Sequence, residues 1–392
     1  MESIFEASLY GFIAFVLVGY SLSRIFKRND VADVLWGLGF ILITAINLNS
    51  VETIGFRTKL MVSLLLLWSL RLSLYLGFRS FRKTEDIRYL KWRLEWGDRE
   101  PLMAFLKVFV LQGLVMLIVS FPLAAIIHDS DRALGPLDFA ATMITLLGIA
   151  IESVADWELA SFKNNTINKG RILTSGLWGL CRHPNYFGEA LVWWGFGLLA
   201  LGTAFGAWTL ASPILITYLL MKVSGVPMLE RRMRAENSDF EKYVRNTPAM
   251  IPWTLHQFST FVAIICALVF LDFLWLGLLM NEYYKDQAQT LLRVSGGQWD
   301  VLLWPAVGVY FFLAMAIQKF AVSGTSVQSV FRGFLLGMCI YGVYDLTNLA
   351  LLNGWPIQRS LVDMVWGSFL CATSAWVGFW GTTILTKNKV GK

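Results

Sequence analysis

"LCRHPNYFGEALVWWGFG" (residues 180–197) passes within a few residues from a basic, polar RHPN into one of the most apolar stretches of the chain. Arg182, His183 and Asn185 open it, and Glu189 follows one turn further in. A charge inside such a segment is costly, which makes it a functional candidate by default. Pro184 suits the first turn of a helix, where its missing N–H costs nothing. The spacing therefore predicts a helix from about His183–Pro184, whose free N–H groups and positive dipole end form a natural anion site. Outward from this segment the pattern repeats. The 392 residues are 56% apolar and only 15% charged, with a mean hydropathy of +0.57. Soluble domains carry about 25% charged residues, and runs of about 20 apolar residues are of membrane-spanning length. The fold class is an all-α, polytopic membrane helical bundle.

Eleven spans are expected, at 5–23, 32–48, 59–78, 103–128, 136–156, 185–201 and 203–222, then at 259–280, 300–318, 330–351 and 362–385. A polar stretch at about 223–258 divides them, giving a seven-span domain (1–257) and a four-span domain (258–392). The loops 23–31, 79–101, 157–184 and 222–258 hold 20 Lys and Arg, against 3 in the alternating connections. The positive-inside rule then puts the N-terminus outside and the basic C-terminal tail in the cytoplasm. This is the arrangement of a multi-pass inner-membrane protein whose RHPN faces the cytoplasm. The acidic start "MESIFEASLYG" reads as a retained span, without a signal-peptide cleavage site. Four cysteines without CxxC spacing and three scattered histidines imply no disulfide framework and no metal site. No nucleic-acid partner is expected; the surroundings are the lipid bilayer.

"GFGLLA" (195–200) matches a dinucleotide-binding glycine pattern only formally, since it lies in a span with no preceding strand. The chemistry-bearing groups are elsewhere. Asn185 and Glu189 share one helix face, as do Glu152 and Asp156 at the end of span five. An amide and a carboxylate suit a carboxamide or ribose hydroxyls. Arg182, Arg171 and Lys163 supply positive charge for phosphates. A purely structural alternative pairs Glu189 with Arg182 or Arg171 to lock the loop.

"GRILTSGLWGLCRHPNYFGEALVWWGFG", with "VADVLWGLGF" (31–40) and "LRLSLYLGFRSFRKTEDIRYLKWRLEWG" (70–97), resembles the steroid 5-alpha-reductase superfamily, in particular its bacterial membrane branch. The resemblance covers about residues 1–255. It implies a seven-span enzyme that takes NADPH from the cytoplasm and reduces a carbon–carbon double bond in a lipid. Carried over by position, it puts Asn185, Glu189, Glu152, Asp156 and Arg171 at the cofactor, with His183 and Tyr186 of the same motif. Arg79 and Arg82 fall in a phosphate-contacting loop, and Lys163 stands where the steroid enzymes more often have Arg. "TEDIRY" adds Glu85, Asp86, Arg88 and Tyr89. In place of the Glu and Tyr that polarise a steroid carbonyl, span two offers Asp33 and Trp36, and span three offers Arg71 and Tyr75. Asp33, Arg71 and Tyr75 can line one pocket near the cytoplasmic end, with Asp33, Tyr75 or Tyr89 as the acid; alternatively, Asp33 and Arg71 form a buried ion pair.

RHPxYxG also occurs in membrane methyltransferases that act on isoprenyl-cysteine or phospholipid head groups and use S-adenosylmethionine. Glu230–Arg231 before "FEKYVRNTPAMIP" fits them too. Glu189 directly after YFG, with "ADVLWG" and "TEDIRY", favours the reductase branch. A lipid-binding or transport protein without catalysis is a third reading. Residues 259–392 resemble a second, uncharacterised four-span bacterial membrane family. Its Asp272, Asp345, Asn348 and Asp363 form either a polar cavity or hydrogen-bonding glue between helices, with "GFLLG" (333–337) as a close-packing motif. Trp299, Trp304, Trp355 and Trp366 read as interface anchors.

Overall fold

Apolar runs interrupted by basic loops fold as helices nearly throughout. The computed structural model describes residues 2–390 apart from 82–83, 130–133, 253–254, 288–293, 296–297 and 300–301. The helices gather into two units, Met1–Pro252 and Trp253–Lys392.

In the first unit, α1 (Glu2–Phe26), α2 (Val31–Leu48) and α3 (Phe56–Phe81) run as successive neighbours. α4 (Ile87–Trp96) starts where the Asp86 carboxylate accepts the Arg88 N–H at 2.9 Å, an N-cap. The chain continues helically through α5 (Glu100–Ala104), a π turn (Phe105–Val110) and α6 (Leu111–Val119). It breaks at Ser120 because Pro122, in α7 (Phe121–Ile127), lacks an N–H for the preceding turn. α8 (Pro136–Asn164) follows, then the single turn α9 (Leu177–Leu180). α10 (Pro184–Ala200) begins on Pro184 as predicted, and α11 (Ala211–Tyr218), α12 (Val226–Glu236) and α13 (Phe240–Asn246) complete the unit. A buried Arg57–Asp138 ion pair at 2.9 Å ties the start of α3 to the start of α8.

The second unit contains α14 (Leu255–Asp272), prolonged by a π turn (Phe273–Leu279), and α15 (Asn281–Gln287). A two-residue antiparallel pair, Val294–Ser295 with Gln298–Trp299, precedes α16 (Leu303–Ala316), α17 (Ser326–Leu351) and α18 (Ile357–Val390). GFLLG packs as expected: a Cβ on Gly333 would lie 2.6 Å from the Cys371 carbonyl oxygen of α18.

Among the described residues, nine helical stretches are long and apolar enough to cross a membrane. Helix covers most of each expected segment, apart from 203–205, which turns, and 300–301, which lie outside the described residues; two of the helices are short for a span. α10 and the helical stretch Pro305–Ala321 each have 17 residues, about 25 Å at 1.5 Å per residue against a hydrocarbon core of about 30 Å. α10 stops where the chain turns at 201–205, with Gly206 at a φ of 47°.

The glycines of α10 serve helix contact. A Cβ on Gly188 would lie 2.7 Å from the Glu152 backbone nitrogen and 2.7 Å from the Gly148 carbonyl oxygen, both on α8. Gly188→Ala must therefore push α8 and α10 apart. The expected loss is about 1–3 kcal/mol, the usual cost of overpacking, read as a lower unfolding temperature in detergent; an unchanged temperature would show that the crossing is not close-packed.

Candidate functional site

Trp68, Arg71, Tyr75 and Arg79 recur on α3 at spacings of three and four, so they share one face. That face meets α8 where Glu152 and Asp156 are stacked one turn apart. The Trp68 indole N–H donates to Glu152 at 2.9 Å. The Arg71 guanidinium bridges both acids, at 2.5 Å to Glu152 and 2.8 Å to Asp156. The Tyr75 hydroxyl makes only a loose 3.5 Å contact with the Asp156 carbonyl, and the Arg79 guanidinium lies 5.8 Å from the centre of its ring.

The close glycine crossing brings Glu189 of α10 into the same group, within electrostatic range of Glu152, Asp156 and Arg71. Glu189 accepts the Trp36 indole N–H of α2 at 3.3 Å. Behind the acids stands a buried aromatic wall: Phe40 lies 5.0 Å from Trp36 and 4.5 Å from Trp193, and Trp193 packs edge-on to Trp68 at 5.4 Å. Three acidic side chains thus gather about one guanidinium that bridges two of them, against a buried aromatic wall.

A second polar group adjoins the first. Asp33, at the start of α2, accepts from the Arg88 guanidinium and from the Tyr89 hydroxyl, each at 2.6 Å. Burial acts to raise the Asp86 carboxyl, but the hydrogen bonds from Arg88 outweigh it and hold Asp86 below the usual value. Tyr186 joins the two groups, within electrostatic range of Arg88, Glu189, Asp33 and Arg79. A cleft of about 70 Å³ opens beside it, lined by Asp30, Asp33, Arg79, Ser80 and Asp86 among others.

The structure brings together Asp33, Arg71, Tyr75, Arg79, Tyr89, Glu152, Asp156, Tyr186 and Glu189. Asn185 is half-buried on the first turn of α10, while Lys163 and Arg171 are exposed. Arg82 lies outside the described residues.

Several expected pairings are corrected. Asp33 and Arg71 are not partners: the amphipathic α4 delivers Arg88 to Asp33, and α8 supplies two acids to Arg71. Glu189 pairs with neither Arg182 nor Arg171. Arg182 is buried and spent on Glu230 of α12 at 2.7 Å and on the carbonyls of Val244 and Thr247. It is therefore not presented to a phosphate. His183 contacts Glu230 at 3.2 Å and stacks on Tyr186. The backbone N–H groups of Arg182 and His183 donate to the Pro248 and Ala249 carbonyls at 2.9 Å, so part of the expected anion site is filled by the chain itself. Burial pushes the Cys181 thiol up to about 11, which leaves it a poor nucleophile. Trp68 was missed, although its place on the stripe with Arg71 and Tyr75 is a readable signal.

Residues 19–247 match a family described as a protein of unknown function (DUF1295). Residues 257–380 match a family described as a predicted membrane protein (DUF2177). The cobalt-zinc-cadmium resistance protein CzcN of Cupriavidus metallidurans is 28% identical over 163 residues, covering 38% of this chain and 70% of that protein. An uncharacterized protein of Schizosaccharomyces pombe is 28% identical over 203 residues, 44% of this chain and only 57% of the yeast protein. No solved structure matches the chain.

Proposed function

We propose that this chain, which belongs to the DUF1295 family, is a membrane-embedded reductase that uses NADPH to saturate a carbon–carbon double bond in a lipid. The observation that carries this reading is the surplus of carboxylate around Arg71: Glu152, Asp156 and Glu189 outnumber the guanidinium that bridges two of them.

The donor set suits NADPH. Asn185 and Glu189 offer an amide and a carboxylate to the nicotinamide carboxamide. Exposed Arg171 and Arg79 face solvent and could meet phosphates where the buried Arg182 cannot. Bound there, NADPH supplies the hydride. Negative charge on Glu152, Asp156 and Glu189 would favour a positive charge developing beside them, an interaction stronger in the transition state than in the ground state. A methyl-donor sulfonium loses its charge during transfer, so the same carboxylates would hold its ground state more tightly than its transition state. This difference favours the reductase over the S-adenosylmethionine-dependent methyltransferase. Among the candidate acids, Tyr75 has its proton least engaged, whereas the Tyr89 proton is held by Asp33 at 2.6 Å. Tyr75 is therefore the group that protonates the substrate. The basic loops orient this end of the unit toward the cytoplasm, the side from which NADPH is drawn, and the lipid arrives from the bilayer.

Equilibrium binding to the purified full-length protein tests the reading, with NADPH and S-adenosylmethionine compared. Saturable NADPH binding is expected, weakened by Glu189→Ala or Asn185→Ala by about tenfold or more, as for a lost hydrogen bond to a charged or amide group. Binding left unchanged in both variants overturns the site. Tight S-adenosylmethionine binding without NADPH binding moves the chain to the methyltransferase class, and binding of neither favours a lipid-binding or transport role.

A further inference from the structure

The second unit carries three acids inside its spans, and two of them are accounted for. Asp272 accepts the Trp366 indole N–H at 2.8 Å and the Tyr310 hydroxyl at 3.1 Å, so Trp366 is a ligand-like donor rather than an interface anchor. Asp363 accepts the Tyr284 hydroxyl of α15 and lies 3.5 Å from Arg359. The Arg359 guanidinium is itself enclosed by the Trp355 ring at 4.5 Å and the Tyr284 ring at 5.6 Å.

Asp345 of α17 is different. It is 0% exposed, and neither of its carboxyl oxygens has a hydrogen-bond partner. The groups that face it from α18 are Asp363, Arg359 and Ser360. The Ser360 hydroxyl accepts the Trp355 indole N–H at 2.9 Å and lies beside the Asp345 carboxylate without a hydrogen bond of full geometry. Tyr341 precedes it by one turn on its own helix. Tyr284 of α15 is linked to the group through Asp363, and Tyr310 of α16 and Asp272 of α14 through each other. Arg359 is the cation of this group, and it is already engaged with Asp363. An ionised Asp345 would be a buried charge with no well-formed hydrogen bond and a second carboxylate for a neighbour. Such a group is neutralised rather than left charged.

We propose that Asp345 is a proton-binding site in the membrane interior of the second unit, sharing one proton with Asp363, which is held between Tyr284 and Arg359. The two acids then bind one proton in common, so they titrate as a pair. Loss of that proton places an uncompensated negative charge inside the helix pair α17–α18, which ties the state of this unit to pH. The proposal rests on the second unit alone and stands apart from the reductase reading.

The test uses the full-length protein in detergent and dicyclohexylcarbodiimide, an apolar reagent that adds to protonated carboxyls in apolar surroundings. The site of the adduct is located by peptide mass spectrometry. The expected result is an adduct on Asp345 near neutral pH that is lost on raising the pH and lost in Asp345→Asn, with Asp272 and Asp363 unmodified. An unmodified Asp345 near neutral pH, or an adduct on Asp363 in its place, overturns the proposal. Because the adduct is read on the unaltered chain, the result does not depend on whether the variant folds.

Discussion

Tyr75→Phe is expected to slow lipid reduction by about 10²–10⁴, the usual contribution of a positioned general acid, with NADPH affinity nearly unchanged. The Tyr75 hydroxyl lies 3.5 Å from the Asp156 carbonyl, an oxygen inside a helix, so deleting it leaves no buried group newly unsatisfied. The ring stays against Arg79, and the fold is undisturbed. What disappears is a proton donor beside Arg71 and Arg79. Single-turnover rates and equilibrium binding separate the two effects. Retained rate in Tyr75→Phe with a collapse in Tyr89→Phe would transfer the acid role to the Asp33–Tyr89 pair.

Arg71→Leu is expected to cost about 3–5 kcal/mol of stability, because removing one partner of a buried ion pair leaves the other uncompensated. Here Arg71 bridges Glu152 and Asp156 directly, and Glu189 stands in the same group. Arg71→Lys rescues only in part, since an ammonium lacks the planar fork that reaches two carboxylates at once. The double substitution Arg71→Leu with Asp156→Leu recovers part of the loss by removing charges of both signs, and thermal unfolding in detergent reads the non-additivity. Unfolding of Arg71→Leu at the wild-type temperature would mean that the three acids are already neutral, and it would remove the charge surplus on which the proposed function rests.

The parts of this molecule readable from sequence are those governed by local rules. Apolar run length located the helices, nine of which among the described residues are long and apolar enough to span a membrane, and Pro184 fixed the start of α10 because its ring suits only the first turn. Spacing of four grouped Asn185 with Glu189 and Glu152 with Asp156. Partner choice between helices was not readable in this way. Arg71 can meet Asp33 or Asp156 by depth along its helix; the rotation of α3 toward α8 decides, and that rotation follows from the close approach of neighbouring helices rather than from any one segment. Arg182 looked like a phosphate ligand because its burial depends on Glu230, which lies 48 residues later on a separate helix. In the same way, nothing in the sequence paired the Trp36 and Trp68 indole N–H groups with the carboxylates that accept them, because those lie on other helices.

In the proposed function, hydride passes from NADPH to a lipid double bond at the Glu152–Asp156–Glu189 group. The most direct measurement incubates the full-length protein with membrane lipids and NADPH deuterated at the transferable position, then examines the lipids by mass spectrometry. The expected result is lipid products with one double bond fewer and one deuterium each, formed by the wild type and not by Glu189→Ala. Wild-type protein that binds NADPH yet leaves every lipid unlabelled and unsaturated as before would contradict it.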